Sequence, residues 1–319
     1  MRRMPAEWEW QSAVLIAWPH SDTDWRDSLQ IVEQCYISIA EAITADEQLI
    51  IVTPDITSAR KATQHLDQSR ISFQQIQTND TWTRDYGPIS VHAQSETQLL
   101  DFGFNAWGNK YPYSFDNSVC AKLAVNGALP HPLINQHEFI LEGGSIESDG
   151  KGTILTTPSC LLNPNRNPTL NKSQIELQLQ ESLGAQNVIW LECSPLPGDD
   201  TDGHIDTLAR FAPDDVILFS SPLIAKQLAN ATKDKFNLIP LPQPRTIIGS
   251  EGQPLPATYA NFLVTNNSVL VPTYRQPEQD EEALYIISKA FPGRKAVPID
   301  CTPLIAQHGS LHCSTMQIH

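Results

Sequence analysis

The sequence predicts an α/β protein built from five similar units that form a closed ring. Three observations predict this architecture: stretches with helical periodicity alternate with short β-like runs, turn signals divide those runs into hairpins, and the hairpins recur at nearly constant spacing. Four hairpins begin at residues 85, 142, 203 and 260, so they recur every 57 to 61 residues, and a fifth related strand begins 49 residues later at residue 309. Regular recurrence of one β/α unit indicates pseudo-symmetry around an axis.

Each hairpin follows one plan, in which polar or glycine-containing residues lead into an extended run, a turn and a second apolar strand. The turns SDGKG, APDD and TNN are strong hairpin signals. The segments are 85-DYGPISVHAQSETQLLDF-102, 142-EGGSIESDGKGTILTT-157, 203-GHIDTLARFAPDDVILF-219, 260-ANFLVTNNSVLVPTY-274 and the single strand 309-GSLHCSTMQI-318.

The clearest helical stretches lie between the hairpins, at 27–43, 171–184 and 280–291. Gly184 is typical of a helix C-cap. Strands are predicted to follow these helices at 49–54, 188–193 and 295–300. No Pro/Ser-rich linker divides the chain, so we expect one catalytic domain over residues 1–319.

Length and composition favour a cytoplasmic protein. The 319 residues are 40% hydrophobic, which suffices for a large core, and no apolar run approaches the ~18 residues of a membrane span. The first residues, MRRMPAEWEW, lack the apolar centre of a signal peptide. The oligomeric state stays open, and a homo-oligomer is compatible with the sequence.

Cysteine usage and charge narrow the classes further. The six cysteines (35, 120, 160, 193, 301 and 313) are dispersed without a C-x-x-C pair, which favours reduced thiols and disfavours a cysteine zinc site. The formal charge of -15 would repel nucleic acid and could attract a small cation. An acidic surface also simply keeps a protein soluble, so the charge alone does not identify a ligand.

The side chains with reactive groups lie at the starts of the hairpins. A ring would bring these equivalent positions to one mouth. The residues are Asp85, Glu142, His204, Asp206 and Cys313.

Each of these residues also has a structural interpretation. Asp85 before Tyr-Gly-Pro could be a turn former, with Trp82 in the core and Arg84 in a salt bridge. Glu142 before two glycines could mark a β-bulge. His204 and Asp206 would project from one face of an extended strand.

The cluster around His204 also admits a metal site or a purely structural loop. Imidazole and carboxylates can hold a divalent ion, and Asp199, Asp200 and Asp202 lie close in the chain. However, no second histidine stands at ligand spacing.

Cys313 needs partners to act as a nucleophile, because a free thiol is only slightly ionised at neutral pH. His204 could transfer protons, and Glu142 could orient its imidazole. A cysteine peptidase would have no use for Asp85 and Asp206, since it needs neutral oxyanion donors. Two carboxylates fit a planar guanidinium, so the sequence indicates attack of Cys313 on a guanidino carbon.

Seven motifs together resemble the agmatine deiminase family (Porphyromonas-type peptidylarginine deiminases), which belongs to the guanidino-group-modifying superfamily. That resemblance implies the five-bladed α/β propeller, or pentein fold, with ββαβ-type modules around a central site, and it runs from residue 3 to residue 317. The motifs are RMPAEWEW, AWPHSDTDW at 17–25, DTWTRDYGP, DFGFNAWGNKYP at 101–112, LEGGSIESDG, GDDTDGHID and HGSLHC.

The resemblance implies a nucleophilic Cys313, a general acid/base His204, guanidinium-binding Asp85 and Asp206, and a supporting Glu142. It also implies substrate contacts from four further residues, which are Trp82, Asp200, Trp107 and Tyr111. Many relatives carry GGGxxHC before the cysteine, whereas this chain has QHGSL at 307–311, a loop expected to shape the pocket.

The implied reaction converts agmatine and water to N-carbamoylputrescine and ammonia through an amidino-cysteine, as a step towards putrescine, without a metal or organic cofactor. Alternatives on the same fold are deimination of peptidylarginine or of free arginine, which would need a cation for its α-carboxylate, and amidino transfer to an amine. From other classes, a metal-dependent amidohydrolase using His204 and its neighbouring aspartates, and a scaffold without activity, stay open.

Overall fold

The computed structural model contains five sheets of three or four strands each. It describes residues 2–94, 96–192, 195–233 and 235–319. In each sheet, termed a blade, two antiparallel strands precede a third strand that runs parallel to the second. The strands are Ile89–Ala93, Glu96–Gly103 and Leu133–Ile140 in blade 1; Ile146–Ser148, Thr153–Thr156 and Asn187–Trp190 in blade 2; Ala209–Ala212, Val216–Phe219 and Asn237–Pro240 in blade 3; Leu263–Val264, Ser268–Thr273 and Lys295–Asp300 in blade 4; and Met316–Ile318, Ala13–Ala17, Gln48–Thr53 and Ile71–Gln75 in blade 5. The predicted five-unit repeat is therefore confirmed.

Blade 5 combines the two ends of the described chain, because Met316–Ile318 pairs antiparallel with Ala13–Ala17. Two small additions lie outside the repeat. Arg2–Arg3 extends blade 1, and Ile247–Ile248 forms a separate hairpin with Pro254–Leu255.

Helices connect the second and third strands, as the parallel pairing requires. The longest shows the expected periodicity, since its buried residues include Val32, Tyr36, Ile39 and Ile43. The helices are Leu29–Asp46, Ile56–Ala62, Thr83–Tyr86, Ala106–Asn109, Val119–Val125, Pro158–Leu161, Lys172–Leu183, Pro222–Thr232 and Pro277–Ala290, with 3₁₀ turns at Arg26–Ser28, Gln68–Arg70, Asp116–Ser118, Gly143–Ser145, Ile205–Thr207 and Leu304–Gln307.

The three predicted helices are confirmed with shifted bounds. Lys172–Leu183 begins with a capping box between Asn171 and Gln174 and ends at Gly184. Gly184 has φ 76°, and a Cβ there would lie 1.9 Å from the Arg2 carbonyl oxygen, so glycine is required. Of the predicted strand 188–193, Cys193 lies outside the described residues.

Adjacent blades are joined by hydrogen bonds near the turns that precede them. In each case the acceptor lies in the turn before one blade, and the donor lies before the neighbouring blade or, for Thr157, directly after the second strand of blade 2. The pairs are Gly144 N to Asp85 Oδ1 at 3.0 Å, Thr157 Oγ1 to Gly203 O at 2.7 Å, Thr258 Oγ1 to Thr207 O at 3.0 Å, His312 N to Asn261 O at 3.2 Å and Arg84 N to Cys313 O at 3.1 Å. These contacts place the blade starts around one point.

Two other expectations can be compared with the described residues. Cys35, Cys120, Cys160, Cys301 and Cys313 are free thiols. Of the helices described, none has the length and apolar character needed to cross a bilayer.

Candidate active site

The side chains predicted from the hairpin starts meet in the turns before the strands. Asp85 lies in the one-turn helix Thr83–Tyr86, and Glu142 immediately precedes the 3₁₀ turn Gly143–Ser145. His204 precedes the turn Ile205–Thr207, which contains Asp206. The expectation that His204 and Asp206 project from an extended strand is therefore wrong, because these residues stand in a turn that leads into the strand. The same pocket is lined by Asp85, His204, Asp206 and Cys313.

Gly144 is the point on which three of these side chains converge. A Cβ on Gly144 would lie 2.6 Å from His204 Nδ1, 2.9 Å from Asp85 Oδ1 and 3.2 Å from Asp206 Oδ2. Any larger residue would displace them, so the double glycine of LEGGS permits the close approach. The alternative of a β-bulge with a solvated Glu142 does not fit, because Glu142 is fully buried.

His204 is buried between two carboxylates. Its Nδ1 lies 3.6 Å from Asp85 Oδ1, and its Nε2 lies 3.6 Å from Glu142 Oε2. Neither ring nitrogen has a hydrogen-bond partner among the described residues. Burial lowers the pKa of His204, but Asp85, with contributions from Cys160 and Glu142, outweighs burial and raises this pKa well above its usual value. The imidazole can therefore carry a proton into a reaction.

Asp85 and Asp206 differ in how their oxygens are occupied. Asp85 accepts hydrogen bonds from Gly144 N and, at 2.9 Å, from Trp107 Nε1. Asp206 Oδ2 accepts from His312 Nδ1 at 2.7 Å, whereas its Oδ1 is buried without a partner in the described part of the chain. The pocket thus contains a desolvated acceptor that a ligand N–H could satisfy.

The pKa values of the two carboxyls move in opposite directions. Burial raises the pKa of Asp85 to about 6, where attraction to His204 is opposed by repulsion from Asp206 and Glu142. Burial also opposes ionisation of Asp206, but the hydrogen bond from His312, with further contributions from His204 and Arg210, outweighs burial and lowers the pKa of Asp206. A bound cation would relieve the repulsion at Asp85.

Glu142 lies behind His204 and is held chiefly by Arg166. The Arg166 Nε is 2.9 Å from Glu142 Oε1 and 2.8 Å from Oε2, and both side chains are buried. Burial of Glu142 is outweighed by Arg166, followed by His204, so its pKa is about 2. Glu142 is therefore a permanently charged neighbour of His204.

Cys313 faces the pocket but is only 8% exposed. Its Sγ lies 3.3 Å from Asn261 Nδ2 and 3.8 Å from Asp206 Oδ2. Burial, followed by repulsion from Asp206 and Asp85, raises the pKa of the Cys313 thiol well above its usual value. These surroundings thus favour the protonated thiol.

The remaining predicted residues form the walls of the pocket. Trp82 is 4% exposed and packs against Trp25 with ring centroids 5.7 Å apart, so it is both a core residue and a wall. Trp107 lines the pocket and orients Asp85. At the outer end, Tyr111 donates to Asp200 Oδ2 at 2.9 Å.

The loop at 307–309 forms the facing wall. Gly309 lies so close to Trp82 that a Cβ would be 2.2 Å from the indole ring. The neighbouring His308 has φ 66°, and its Nδ1 lies 2.7 Å from the Gly198 carbonyl oxygen. The QHGSL segment therefore does shape the pocket, as expected.

The sequence profile of the Porphyromonas-type peptidyl-arginine deiminases matches residues 3–318. The chain belongs to this family. It is 31% identical to the agmatine deiminase of Medicago truncatula over 98% of this chain and 95% of the relative.

Solved structures of family members have the same architecture. A cysteine-to-serine variant of the C. jejuni agmatine deiminase with substrate bound superposes with a TM-score of 0.92 and 36% identity, covering 100% of this chain and 96% of that one. The agmatine deiminase of Enterococcus faecalis gives a TM-score of 0.88 and 30% identity, covering 99% and 95%. The predicted pentein fold is thereby confirmed.

The site of this family member also contains residues that sequence reasoning missed. Asn261 contacts Cys313 from the start of blade 4, and His312 holds Asp206 from the position before the nucleophile. The spacing of the hairpins contained a signal for Asn261, because residue 260 begins the fourth unit. No comparable pattern indicated Arg166, which lies in a loop between strands.

A metal could be sought at two places near His204. The aspartates close in sequence do not gather around it: Asp199 accepts from Thr201 and Gly203, and Asp202 pairs with Arg166. One atom each of Glu142, Cys160 and His204 lie within 4.8 Å of one another. The Arg166 guanidinium occupies both Glu142 oxygens, so added positive charge would be opposed there.

Proposed function

We propose that this protein is an agmatine deiminase, which hydrolyses agmatine to N-carbamoylputrescine and ammonia. The observation that carries the proposal is the group of Asp85, His204 and Asp206 around Gly144, with Cys313 lining the same pocket and a buried oxygen of Asp206 left without a partner among the described residues. A planar guanidinium offers N–H donors on several sides, and two carboxylates bind it strongly. The Medicago truncatula, C. jejuni and Enterococcus faecalis relatives are named agmatine deiminases, whereas the family profile is named for peptidyl-arginine deiminases.

The guanidinium would lie over Gly144, between the two carboxylates. Its N–H groups would donate to Asp206 Oδ1 and to Asp85. Because guanidinium keeps its proton at any biological pH, it would neutralise the repulsion that raises the pKa of Asp85. The same positive charge would favour the thiolate of Cys313.

The reaction would proceed through two tetrahedral intermediates. The Cys313 sulfur bonds to the guanidino carbon, His204 protonates one terminal nitrogen, and the carbon–nitrogen bond breaks to release ammonia and leave an amidino-cysteine. His204, now neutral, accepts a proton from water as the water oxygen bonds to the same carbon. The carbon–sulfur bond then breaks and the remaining hydroxyl proton is lost to solvent, which regenerates the Cys313 thiolate beside protonated His204 and yields the neutral ureido product.

The acidic lining of the pocket favours agmatine over free arginine. Asp24, Asp80 and Asp200 line the pocket, although burial raises the pKa of Asp80 to about 7, and the described lining includes neither lysine nor arginine. The primary ammonium of agmatine suits such surroundings, whereas the α-carboxylate of arginine would be repelled. Trp82 and Trp107 would enclose the methylene chain.

The proposal extends to the protein as a whole. It includes one catalytic domain over residues 1–319, a cytoplasmic location and a reaction that needs no metal or organic cofactor. A homo-oligomer is compatible with it.

Ammonia release from agmatine, free arginine and an arginine peptide, measured side by side, tests the proposal. We expect the highest kcat/KM with agmatine, and mass spectrometry of the quenched reaction should show an amidino adduct on Cys313. Preference for the peptide would instead favour peptidylarginine deimination, and an activity abolished by a chelator would favour a metal-dependent amidohydrolase.

A further inference from the structure

Asn261 occupies the one blade start to which no role has been assigned above. Blades 1, 2, 3 and 5 each bring a titratable side chain of the proposed reaction to the centre of the ring. Asn261 stands in the corresponding place, directly before blade 4, and is fully buried. A buried amide at this position requires partners.

The contacts of Asn261 define which way its amide faces. Oδ1 accepts from the backbone N–H groups of His312 at 2.9 Å and Cys313 at 3.3 Å. On the other side, Nδ2 donates to Asp206 Oδ2 at 3.2 Å. The reverse orientation would set two donors against each other and an oxygen against a carboxylate, so the neighbours determine the orientation.

The amide of Asn261 also lies beside the nucleophile, since Cys313 Sγ is within hydrogen-bond reach of Nδ2 and lies 3.4 Å from Oδ1. A thiolate can only accept, so it would take its hydrogen bond from Nδ2. The distance from Nδ2 to Cys313 Sγ is 3.3 Å. In residues 2–94, 96–192, 195–233 and 235–319, Asn261 is the side chain whose N–H groups donate to this sulfur. The charged groups near the sulfur are the carboxylates of Asp85 and Asp206, which disfavour a thiolate.

We infer that Asn261 is a further catalytic residue, which stabilises the Cys313 thiolate through an N–H hydrogen bond and holds the sulfur beside the Asp206 carboxylate. This inference rests on the proposed role of Cys313 as the nucleophile. One amide thereby links the attacking atom to the group that binds the guanidinium, so the distance between them is held by a single planar side chain. Its oxygen fixes the backbone at Cys313 at the same time.

Alkylation of Cys313 by iodoacetamide at pH 8 tests this inference without any guanidino compound. The rate is followed by peptide mass spectrometry on wild type, Asn261→Ala and Asn261→Asp, with Cys313→Ser as background. Loss of one charge-assisted hydrogen bond should slow alkylation by about tenfold in Asn261→Ala. Asn261→Asp keeps the shape but adds a carboxylate, so it should be slower still.

Asn266→Ala is the matched control. Asn266 lies in the hairpin turn of the same blade and also bridges backbone groups, accepting from Gln11 N and donating to Gln11 O, but it is remote from the sulfur. Its alkylation rate should equal that of wild type. In ammonia release, Asn261→Ala should lower kcat more than it changes KM.

Wild-type alkylation in Asn261→Ala would overturn the inference. So would Asn261→Asp alkylating at least as fast as Asn261→Ala, since a residue that only fills space would be best replaced by its isostere. If agmatine proved not to be a substrate while alkylation still depended on Asn261, the proposed function would fail and the inference would stand.

Discussion

Two clusters of buried charged groups lie next to each other, and they differ in where their cations come from. The pocket cluster lines the cavity and consists of Asp85, His204, Asp206 and Cys313. The interior cluster lies behind it and consists of Glu7, Arg84, Glu147 and Arg210. His312 joins them, because its Nδ1 is 2.7 Å from Asp206 Oδ2 and its Nε2 is 2.7 Å from Glu7 Oε1.

In the interior cluster the chain itself provides guanidinium groups for the carboxylates. Arg210 Nε is 2.9 Å from Glu147 Oε2, and its other nitrogens donate to Glu7 and to the carbonyl oxygens of Ala260 and Phe262. In the pocket cluster, we propose that the guanidinium of the substrate takes the corresponding position. The comparison indicates that one chemistry, carboxylate with guanidinium, stabilises the structure in one cluster and would bind the substrate in the other.

The largest effect is expected on kcat, from replacement of the pocket thiol of Cys313 rather than the core thiol of Cys301. Cys313→Ser should lower kcat by about 10⁴-fold or more, because serine is a far weaker nucleophile here, while agmatine binding persists. Ammonia release and calorimetric titration measure the two quantities. Cys301→Ser, at a fully buried core cysteine, is the control and should lower stability but keep kcat. Turnover by Cys313→Ser at the wild-type rate would exclude the proposed chemistry.

Removal of one charge should lower activity when the charge belongs to the pocket cluster and lower stability when it belongs to the interior cluster. Asp206→Asn can keep one oxygen towards His312 and Asn261 but loses the negative charge, so we expect kcat/KM to fall by a factor equivalent to ~2–5 kcal/mol, with little loss of stability. Arg210→Met leaves Glu7 and Glu147 without this partner and should lower the free energy of unfolding by ~3–5 kcal/mol. Urea denaturation and initial rates measure both variants.

If Asp206→Asn destabilised the fold as much as Arg210→Met, the two clusters would not differ in the way proposed. The pocket would then be a structural cluster like its neighbour.

The dependence of stability on pH sharpens the contrast. The pKa of Asp85 is raised from 3.8 to about 6. Between these two pH values the folded protein keeps a proton that the unfolded chain has released. The free energy of unfolding should therefore fall by roughly 3 kcal/mol as the pH rises from about 4 to about 6. The pKa of Glu7 lies well below 4.5, because Arg210, His312 and Arg84 outweigh its burial. Its contribution is present above pH 4.5 and is lost as pH falls.

Urea denaturation between pH 3 and pH 7 measures these slopes. Asp85→Asn should make the decline between pH 4 and pH 6 shallower by the contribution of Asp85, since Glu47, Asp80 and Glu147 also have raised pKa values and still contribute. Glu7→Gln should remove part of the loss at acid pH. The quantity compared is the slope of the free energy of unfolding against pH, so a variant that is equally destabilised at every pH is still informative. A curve for Asp85→Asn parallel to that of wild type would contradict the assignment.

A smaller effect is expected where the loop meets the aromatic wall. Gly309→Ala places a methyl group against the Trp82 ring and displaces the indole. We expect kcat/KM to fall by a factor equivalent to ~1–3 kcal/mol. Gly127→Ala, where a Cβ meets open space, is the control and should leave kcat/KM unchanged. Equal activity in the two variants would show that Trp82 does not limit the pocket.

The smallest effect concerns the outer end of the pocket. Tyr111→Phe removes the hydrogen bond to Asp200, and we expect KM for agmatine to rise about two- to tenfold with kcat unchanged. Steady-state kinetics measures this. An unchanged KM would indicate that Asp200 does not contact the substrate ammonium.

Much of the fold was predictable because its signals are local. Turn sequences such as SDGKG define hairpins, the 3.6-residue period defines the helix at 29–46, and a regular spacing defines the repeat. The extended conformation expected at His204 was wrong because the polar residues before each strand form turns that bring the blades together. Local sequence does not distinguish a strand start from such a turn.

The sequence predicted which residues form the site but not which of them are hydrogen-bond or ion-pair partners. Spacing and residue chemistry indicated Asp85, Glu142, His204, Asp206 and Cys313. The sequence did not indicate that Arg166, rather than His204, is the main partner of Glu142, or that His312 holds Asp206.

By itself, the sequence determined the units, their order and which reactive side chain stands at the start of each. Only the tertiary structure decided which buried acceptors are satisfied by the chain and which remain for a ligand. The reason is physical: the partners are dozens to hundreds of residues apart, and their distances are set by ring closure, which no local pattern encodes. Asp206 illustrates this, since His312 and Asn261 occupy one of its oxygens and leave the other buried without a partner among the described residues.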